Sequence, residues 1–185
     1  MYPESFLPHI LSLIPNDMPG RALDIGSGRG RNSLYLTRAG WAVLSLDPSI
    51  RRLQDSSKSP DFTIQRMGLV LGRGERLPVK DEVFQLALCT HVLESLPPNV
   101  AQEIIDESRR VMARGGFVFV ATAASDDSTT TQYIDGVVGR SHLYGEAEFL
   151  ELLTGFDLIE LLNLKLVRPK STPPAAQWIF IGRKS

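Results

Sequence analysis

At 185 residues with a formal net charge of −1, the chain has the length of one domain and lacks the basic surplus that nucleic-acid binding demands. Its 43% hydrophobic content suffices for a core, and the single cysteine, Cys89, excludes an internal disulfide and suits a reducing cytoplasm. The opening MYPESFLPHILSLIP lacks the basic region of a secretory signal, and no apolar run approaches the ~18 residues of a membrane span, so a cytoplasmic protein without a membrane role is expected.

Residues 4–14 predict a short helix with Phe6, Ile10 and Leu13 on one face, and 1–19 as a whole read as an N-terminal helical flap. The first strand, Arg21 to Ile25, runs into a turn with glycine at 26, 28 and 30. Asn32 and Ser33 then open a helix that ends at Gly40, a C-cap residue. A second apolar run, Trp41 to Leu46, closes on Asp47, and Pro48 and Ser49 start another short helix. Phe62–Gln65 and Gly68–Leu71 are rival third strands. Val83 to Cys89, almost wholly apolar, is a strand buried on both faces. A helix spans Asn99 to Ala113, ahead of Gly115-Gly116, and Phe117 to Ala123 is the fifth strand. The polar stretch 124–144 shows no periodicity and reads as a long loop of the kind that serves as a lid. Glu146 to Leu153 is helical, and the last strands, Phe156–Val167 and Ala176–Gly182, are joined by the proline-rich RPKSTPPAAQ. Alternation of strand and helix implies a parallel sheet with helices on both faces, whose ligands bind beyond the carboxyl ends of the strands.

The run LDIGSGRGRNSLYLTRAGWAVLSLD is therefore strand, glycine loop, helix, strand and acid, the first half of a nucleotide-binding unit. Glycine has no Cβ, so the turn can be sharp and a ligand can approach the backbone closely. The unpaired N–H groups at the helix start suit an anionic group. Asp47 follows the first glycine by the roughly 20 residues at which an acid accepts hydrogen bonds from ribose hydroxyls, and it also suits the cap of the next helix. A dinucleotide fingerprint needs glycine or alanine five positions after the first glycine. Arg31 stands there, which disfavours a nicotinamide-dependent reductase.

The pattern acid-x-G-x-G-x-G from Asp24 to Gly30 resembles the first motif of class I S-adenosylmethionine-dependent methyltransferases. GRGRNSLYL resembles their tellurite-resistance-type branch, and the chain as a whole resembles the tellurite-resistance-type / ubiquinone-biosynthesis-type branch. GRGERLPVKDEVFQLALCTHVLESLPP and RVMARGGFVFVATA are similar to the family's later segments, and the resemblance covers residues 20–184. It implies a single α/β domain over 1–185, with a Rossmann-like, mostly parallel seven-stranded sheet and an antiparallel C-terminal strand. It also implies S-adenosyl-L-methionine as cofactor and methyl transfer to a small-molecule acceptor. A non-catalytic S-adenosylmethionine-binding module with a regulatory or partner role is the alternative.

Carried onto this sequence, the cofactor-binding residues are Asp24, Gly26, Ser27, Gly28, Gly30, Asn32, Asp47, Pro48, Gly74, Glu75, Cys89 and Thr90. The resemblance gives Asp24 the support of the glycine loop and the methionyl amino group, while Ser33 reads as a helix cap. Arg73 stands where the family often places the acid that meets the adenine amino group. Arginine has no acceptor, so that contact is either lost or moved to Glu75, with the Gly74 N–H still able to meet the ring. His91, after the fourth strand, and His142, beside Tyr133 and Tyr144, are the candidates for proton transfer to and from an oxygen acceptor. Sulfur, selenium or tellurium acceptors need no base. Cys-Thr-His-Val after the fourth strand, in place of Asn-Pro-Pro-Tyr, sets aside methylation of adenine or glutamine amino groups. Histidines at 9, 91 and 142 share no ligand spacing, so no metal is expected.

Overall fold

The nearly wholly apolar runs around Leu86–Cys89 and Phe117–Ala121 become the middle of a sheet covered on both faces, which is what strands without a polar side require. The computed structural model describes residues 6–15, 20–60, 62, 65–125, 132–136, 139–166 and 175–185. The greater part of the proline-rich connection falls outside them. In chain order the elements are α1 (Leu7–Leu13), β1 (Arg21–Ile25), α2 (Arg31–Arg38), β2 (Ala42–Asp47), α3 (Ile50–Ser57), β3 (Met67–Leu71) and β4 (Phe84–Thr90). A 3-10 turn (Leu93–Ser95), α4 (Pro98–Val111), β5 (Met112–Ala124), β6 (Gln132–Gly136), β7 (Gly139–Leu143), α5 (Glu146–Leu152), β8 (Phe156–Leu166) and β9 (Ala175–Lys184) follow.

The main sheet runs β3-β2-β1-β4-β5-β9-β8, with β9 antiparallel to both neighbours and every other pairing parallel. This is the expected Rossmann-like sheet with its reversed C-terminal strand. One face is packed by Ile104 and Ile105 of α4 and Phe149 of α5, the other by Leu7 and Ile10 of α1 and Leu36 of α2. Chain order reverses between β1 and β4, which opens a crevice at the carboxyl ends of those strands.

Several local expectations are corrected. The buried stripe of α1 is Leu7, Ile10 and Ile14, and it belongs to a core cluster that also holds Leu36, Phe119, Ile179 and Ile181. Helix α2 begins at Arg31, with Gly30 as N-cap in the left-handed region at φ 77. Of the rival third strands, the later one forms, because Met67–Leu71 pairs in register with Val43–Asp47. Strand β5 starts at Met112 rather than Phe117: Met112 pairs with Phe84 before a register shift, and the Gly115 φ of 72 carries the bend. The segment read as an irregular loop contains a two-stranded hairpin, β6 on β7. Tyr144 ties it to the sheet, its N–H donating to the Ala123 carbonyl and its carbonyl accepting from the Ser125 N–H, both at 3.2 Å. Pairing, not composition, makes these strands, so the sequence shows little sign of them.

Candidate functional site

A buried polar chain supports the glycine loop from below. Asp24, 1% exposed within β1, accepts the Ser33 hydroxyl on Oδ2 at 2.5 Å, and Ser33 Oγ accepts the Ser45 hydroxyl at 2.5 Å. Ser33 therefore serves the strand acid and not the helix end, because its position in the first turn of α2 faces the sheet. Burial pushes the Asp24 carboxyl up to about 6, opposed by the bonds from Ser33 and the charge of Arg31. Asp24 Oδ1 and Ser27 Oγ are buried without a hydrogen-bond partner, a cost that a bound polar ligand relieves.

Gly26, Gly28 and Gly30 all adopt positive φ. A Cβ on Gly26 would strike Val92, and one on Gly30 would strike the Ser56 hydroxyl. A Cβ on Gly28 would meet nothing nearer than the Gly26 carbonyl at 4.0 Å, so it would project into open space. That space is a cavity of about 330 Å³ lined by Gly26, Ser27, Gly28, Arg31, Thr90 and His91 among others. The Asn32 amide donates to the Thr90 hydroxyl at 3.1 Å and so ties α2 to the end of β4.

A second cavity of about 220 Å³ shares Gly26 and is walled by Leu46, Pro48, Gly74, Glu75, Val92, Leu96 and Ile104. Its apolar sides suit a flat ring. Gly74 is required there, since a Cβ would come within 2.9 Å of Ile25. Arg73 is exposed at its lip and Glu75 half-buried in its wall. Asp47 is buried and is not among the described residues lining either cavity; its Oδ2 accepts the Gly28 N–H at 2.9 Å and its Oδ1 the Ser49 N–H at 2.8 Å, with Arg52 at 3.8 Å. Each oxygen retains a second lone pair, so bracing the loop and meeting a ligand hydroxyl are compatible. Val92, Leu96 and Ile104 were not expected from sequence; apolar residues in a turn and a helix carry no motif.

After β4 the chain passes through His91 in the left-handed region, φ 56, with its N–H on the Ala121 carbonyl at 2.8 Å. A non-glycine residue in that region is strained and persists where its surroundings fix it. The His91 Nδ1 lies 3.3 Å from Glu94 Oε1, and Glu94 Oε2 accepts the Thr122 hydroxyl at 3.0 Å. His142 is 2% exposed, with Nε2 2.9 Å from Glu148 Oε1 and its ring 4.2 Å from that of Tyr144. It is not among the described residues lining either cavity. The Cys89 thiol is buried, and burial pushes its pKa far up, which makes it inert. Among the described residues no group of three or more His, Cys, Asp or Glu side chains is placed to hold a metal ion.

Comparison with known proteins agrees with this geometry. Residues 23–120, more than half of the chain, match the family described as methyltransferase domain. An uncharacterised protein of Methanocaldococcus jannaschii is 27% identical over 155 residues, which span 83% of this chain and 68% of that one. Among solved structures, a SAM-dependent methyltransferase from Methanosarcina mazei superposes with a TM-score of 0.80 at 19% identity, covering 96% of this chain and 97% of the other. The Burkholderia thailandensis 1,6-didemethyltoxoflavin-N1-methyltransferase, solved with 1,6-didemethyltoxoflavin and S-adenosylhomocysteine, superposes with a TM-score of 0.74 at 19% identity, over 98% of this chain and 79% of the other. The unpartnered Asp24 and Ser27 atoms and the open space above Gly28 fit an S-adenosyl ligand. The chain belongs to the methyltransferase-domain family and is a class I S-adenosylmethionine-dependent methyltransferase.

Proposed function

We propose that the chain methylates a small molecule in the cytoplasm. The observation that carries this reading is the cavity of about 330 Å³ that Gly26, Ser27 and Gly28 of the glycine loop line together with Thr90 and His91. That volume suits a small ligand group. In this reading Asp24, Ser27, Gly26, Gly28, Gly30 and Asn32 hold the methionyl end, and Cys89 and Thr90 form the adjoining wall. The Asp47 oxygens accept ribose hydroxyls, while Pro48, Gly74 and Glu75 hold the adenine. When bound, the cofactor supplies an electrophilic methyl group. The protein aligns the acceptor, an effect worth roughly 7–11 kcal/mol in favourable cases. An acceptor that must lose a proton uses His91 as its base. His142, held by Glu148 outside the cavities, supports the hairpin instead. We assign segment 124–144 the role of a lid; residues 126–131 and 137–138 of it lie outside the described residues, and of the rest Tyr144 is tied to β5 while β7 packs on the 3-10 turn. The test is to incubate the protein with S-adenosylmethionine and a small-molecule library and to follow S-adenosylhomocysteine. Turnover with a protein or RNA fraction and with no small molecule would refute the reading.

A further inference from the structure

We propose that the chain carries a second ligand site, at the amino ends of β1 to β4 and so at the opposite end of the sheet from the cofactor cavities, and that it takes a small carboxylate with an apolar body. The inference stands apart from the methyl transfer proposed above.

The site is a trough of about 330 Å³, as large as the cavity beside the glycine loop. Residues 72–83, all among the described residues, connect β3 to β4 without a helix. The strand starts are therefore met on that side by the loop residues Val79 and Val83, which join the core beside Leu44 and Phe84. The parallel register sets Arg21 level with Ala42, and the Val43 N–H donates to the Arg66 carbonyl at 2.7 Å, which brings Arg66 to the other side of Ala42. Two arginines thus flank one alanine across β1, β2 and the start of β3, roughly 10 Å apart by strand spacing. Two residues further along, Leu44 stands beside Gly68, whose missing side chain keeps the floor open: a Cβ there would meet Leu44 at 3.2 Å.

Charge decides the occupant. None of the described residues lining the trough is acidic. The acids of the neighbouring loop are engaged elsewhere, Asp81 with Arg110 and Glu82 with Arg114 and Lys184. Among the described residues neither Arg21 nor Arg66 meets a carboxylate, and Arg66 gives one N–H to the Gly40 carbonyl at 2.7 Å. Most of the guanidinium donors remain for a ligand, and their planar fork matches a carboxylate. Val79, Val83 and Phe84 offer the same trough apolar side chains, so a bare inorganic anion would leave the greater part of it unfilled. A carboxylate between the arginines with its carbon body over Gly68 uses both halves.

The probe is octanoate, followed through the amide ¹H–¹⁵N shifts of the full chain with and without S-adenosylhomocysteine. Millimolar octanoate should shift the amides of Ala42, Gly68, Val79 and Phe84 and leave those of Gly26, Gly28 and Thr90 in place. Acetate lacks the body and octylammonium the negative charge, so neither should produce these shifts. Arg21→Gln and Arg66→Gln should each weaken octanoate about fivefold, the upper end for an exposed ion pair. Ala42→Leu should fill the gap between the arginines and abolish binding, and the arginine variants carry the test alone should it fold poorly. Affinity for S-adenosylhomocysteine should be the same in every folded variant. The proposal is overturned by an absence of shifts with octanoate, by shifts at the glycine loop in place of the trough, by equal shifts with acetate or octylammonium, or by octanoate affinity that survives loss of both arginines.

Discussion

Protonation of Asp24 should govern cofactor affinity around pH 6. Its carboxyl sits at about 6 in the free protein, against 3.8 for the unperturbed group, because burial in β1 outweighs the bonds from Ser33. In the function proposed above, the ligand's amino group, an ammonium across this range, binds the carboxylate form. At pH 7 about nine in ten molecules carry the carboxylate; at pH 5 only about one in ten do, so affinity for S-adenosylhomocysteine should fall by about tenfold per unit below pH 6. Stability runs the other way. The folded value lies above the unfolded one, so the contribution is fully present below about pH 4 and is lost as pH rises to about 6. Two units at about 1.4 kcal/mol each make this ~3 kcal/mol. Asp24→Asn should abolish both slopes, with weak binding at every pH and flat stability across pH 4–6. Calorimetric titration with S-adenosylhomocysteine from pH 5 to 8, beside urea denaturation of the free protein, measures the two together. Wild-type affinity that stays constant from pH 5 to 7, or a slope that survives in Asp24→Asn, would refute the argument.

Asp47→Ala should weaken S-adenosylhomocysteine more than tenfold, since bonds to a charged group contribute about 1.5–3 kcal/mol each; an unchanged dissociation constant in a folded variant would leave Asp47 as a brace for Gly28 and Ser49 only. Gly28→Ala and Gly30→Ala should separate binding from folding. Both incur the positive-φ strain of about 1–2 kcal/mol, but the Gly30 Cβ also collides with the Ser56 hydroxyl, whereas the Gly28 Cβ enters the cavity. Denaturant melts should therefore rank Gly30→Ala the less stable, and calorimetry should show ligand binding lost in folded Gly28→Ala; the reverse ranking would contradict the geometry. Hydrogen exchange should show the amides of 132–136 and 139–143 slowed by S-adenosylhomocysteine, and an identical pattern with and without ligand would make the hairpin a fixed part of the scaffold.

The cofactor half of the site was legible because its chemistry depends on residue types with few substitutes. Three positive-φ glycines, an acid inside an apolar strand and an acid at the next strand's end announce themselves at their spacing. The partners of those residues were not legible. Ser45 reads as a polar break in β2, and only the fold places it behind Ser33. Val92, Leu96 and Ile104 meet through the packing of a turn on α4, which no local pattern encodes. Glu94 reads as an ordinary acid in a turn until Thr122, 28 residues on, closes the contact. The β6–β7 hairpin escaped notice for the related reason that strand pairing, and not side-chain alternation, holds it.

The strand order has a consequence for how the chain folds. Within the sheet β8 touches only β9, and β9 lies between β8 and β5. Strand β8 thus leaves the ribosome before the one neighbour that can house it, and the outer edge of β5 stays open until Ala175–Lys184 arrives. Helix α1 shares this delay: its Leu7 and Ile10 belong to one core cluster with Ile179 and Ile181, and His9 reaches Glu160 on β8 at 2.8 Å. The earliest helix and the latest strand therefore close one sequence-distant cluster, the slow kind of contact to form. Both cavities, by contrast, are lined by residues up to Ile104. The residues lining both cavities thus precede β8 and β9 in the chain, while the last strand houses β8 and completes the cluster that α1 shares with Ile179 and Ile181.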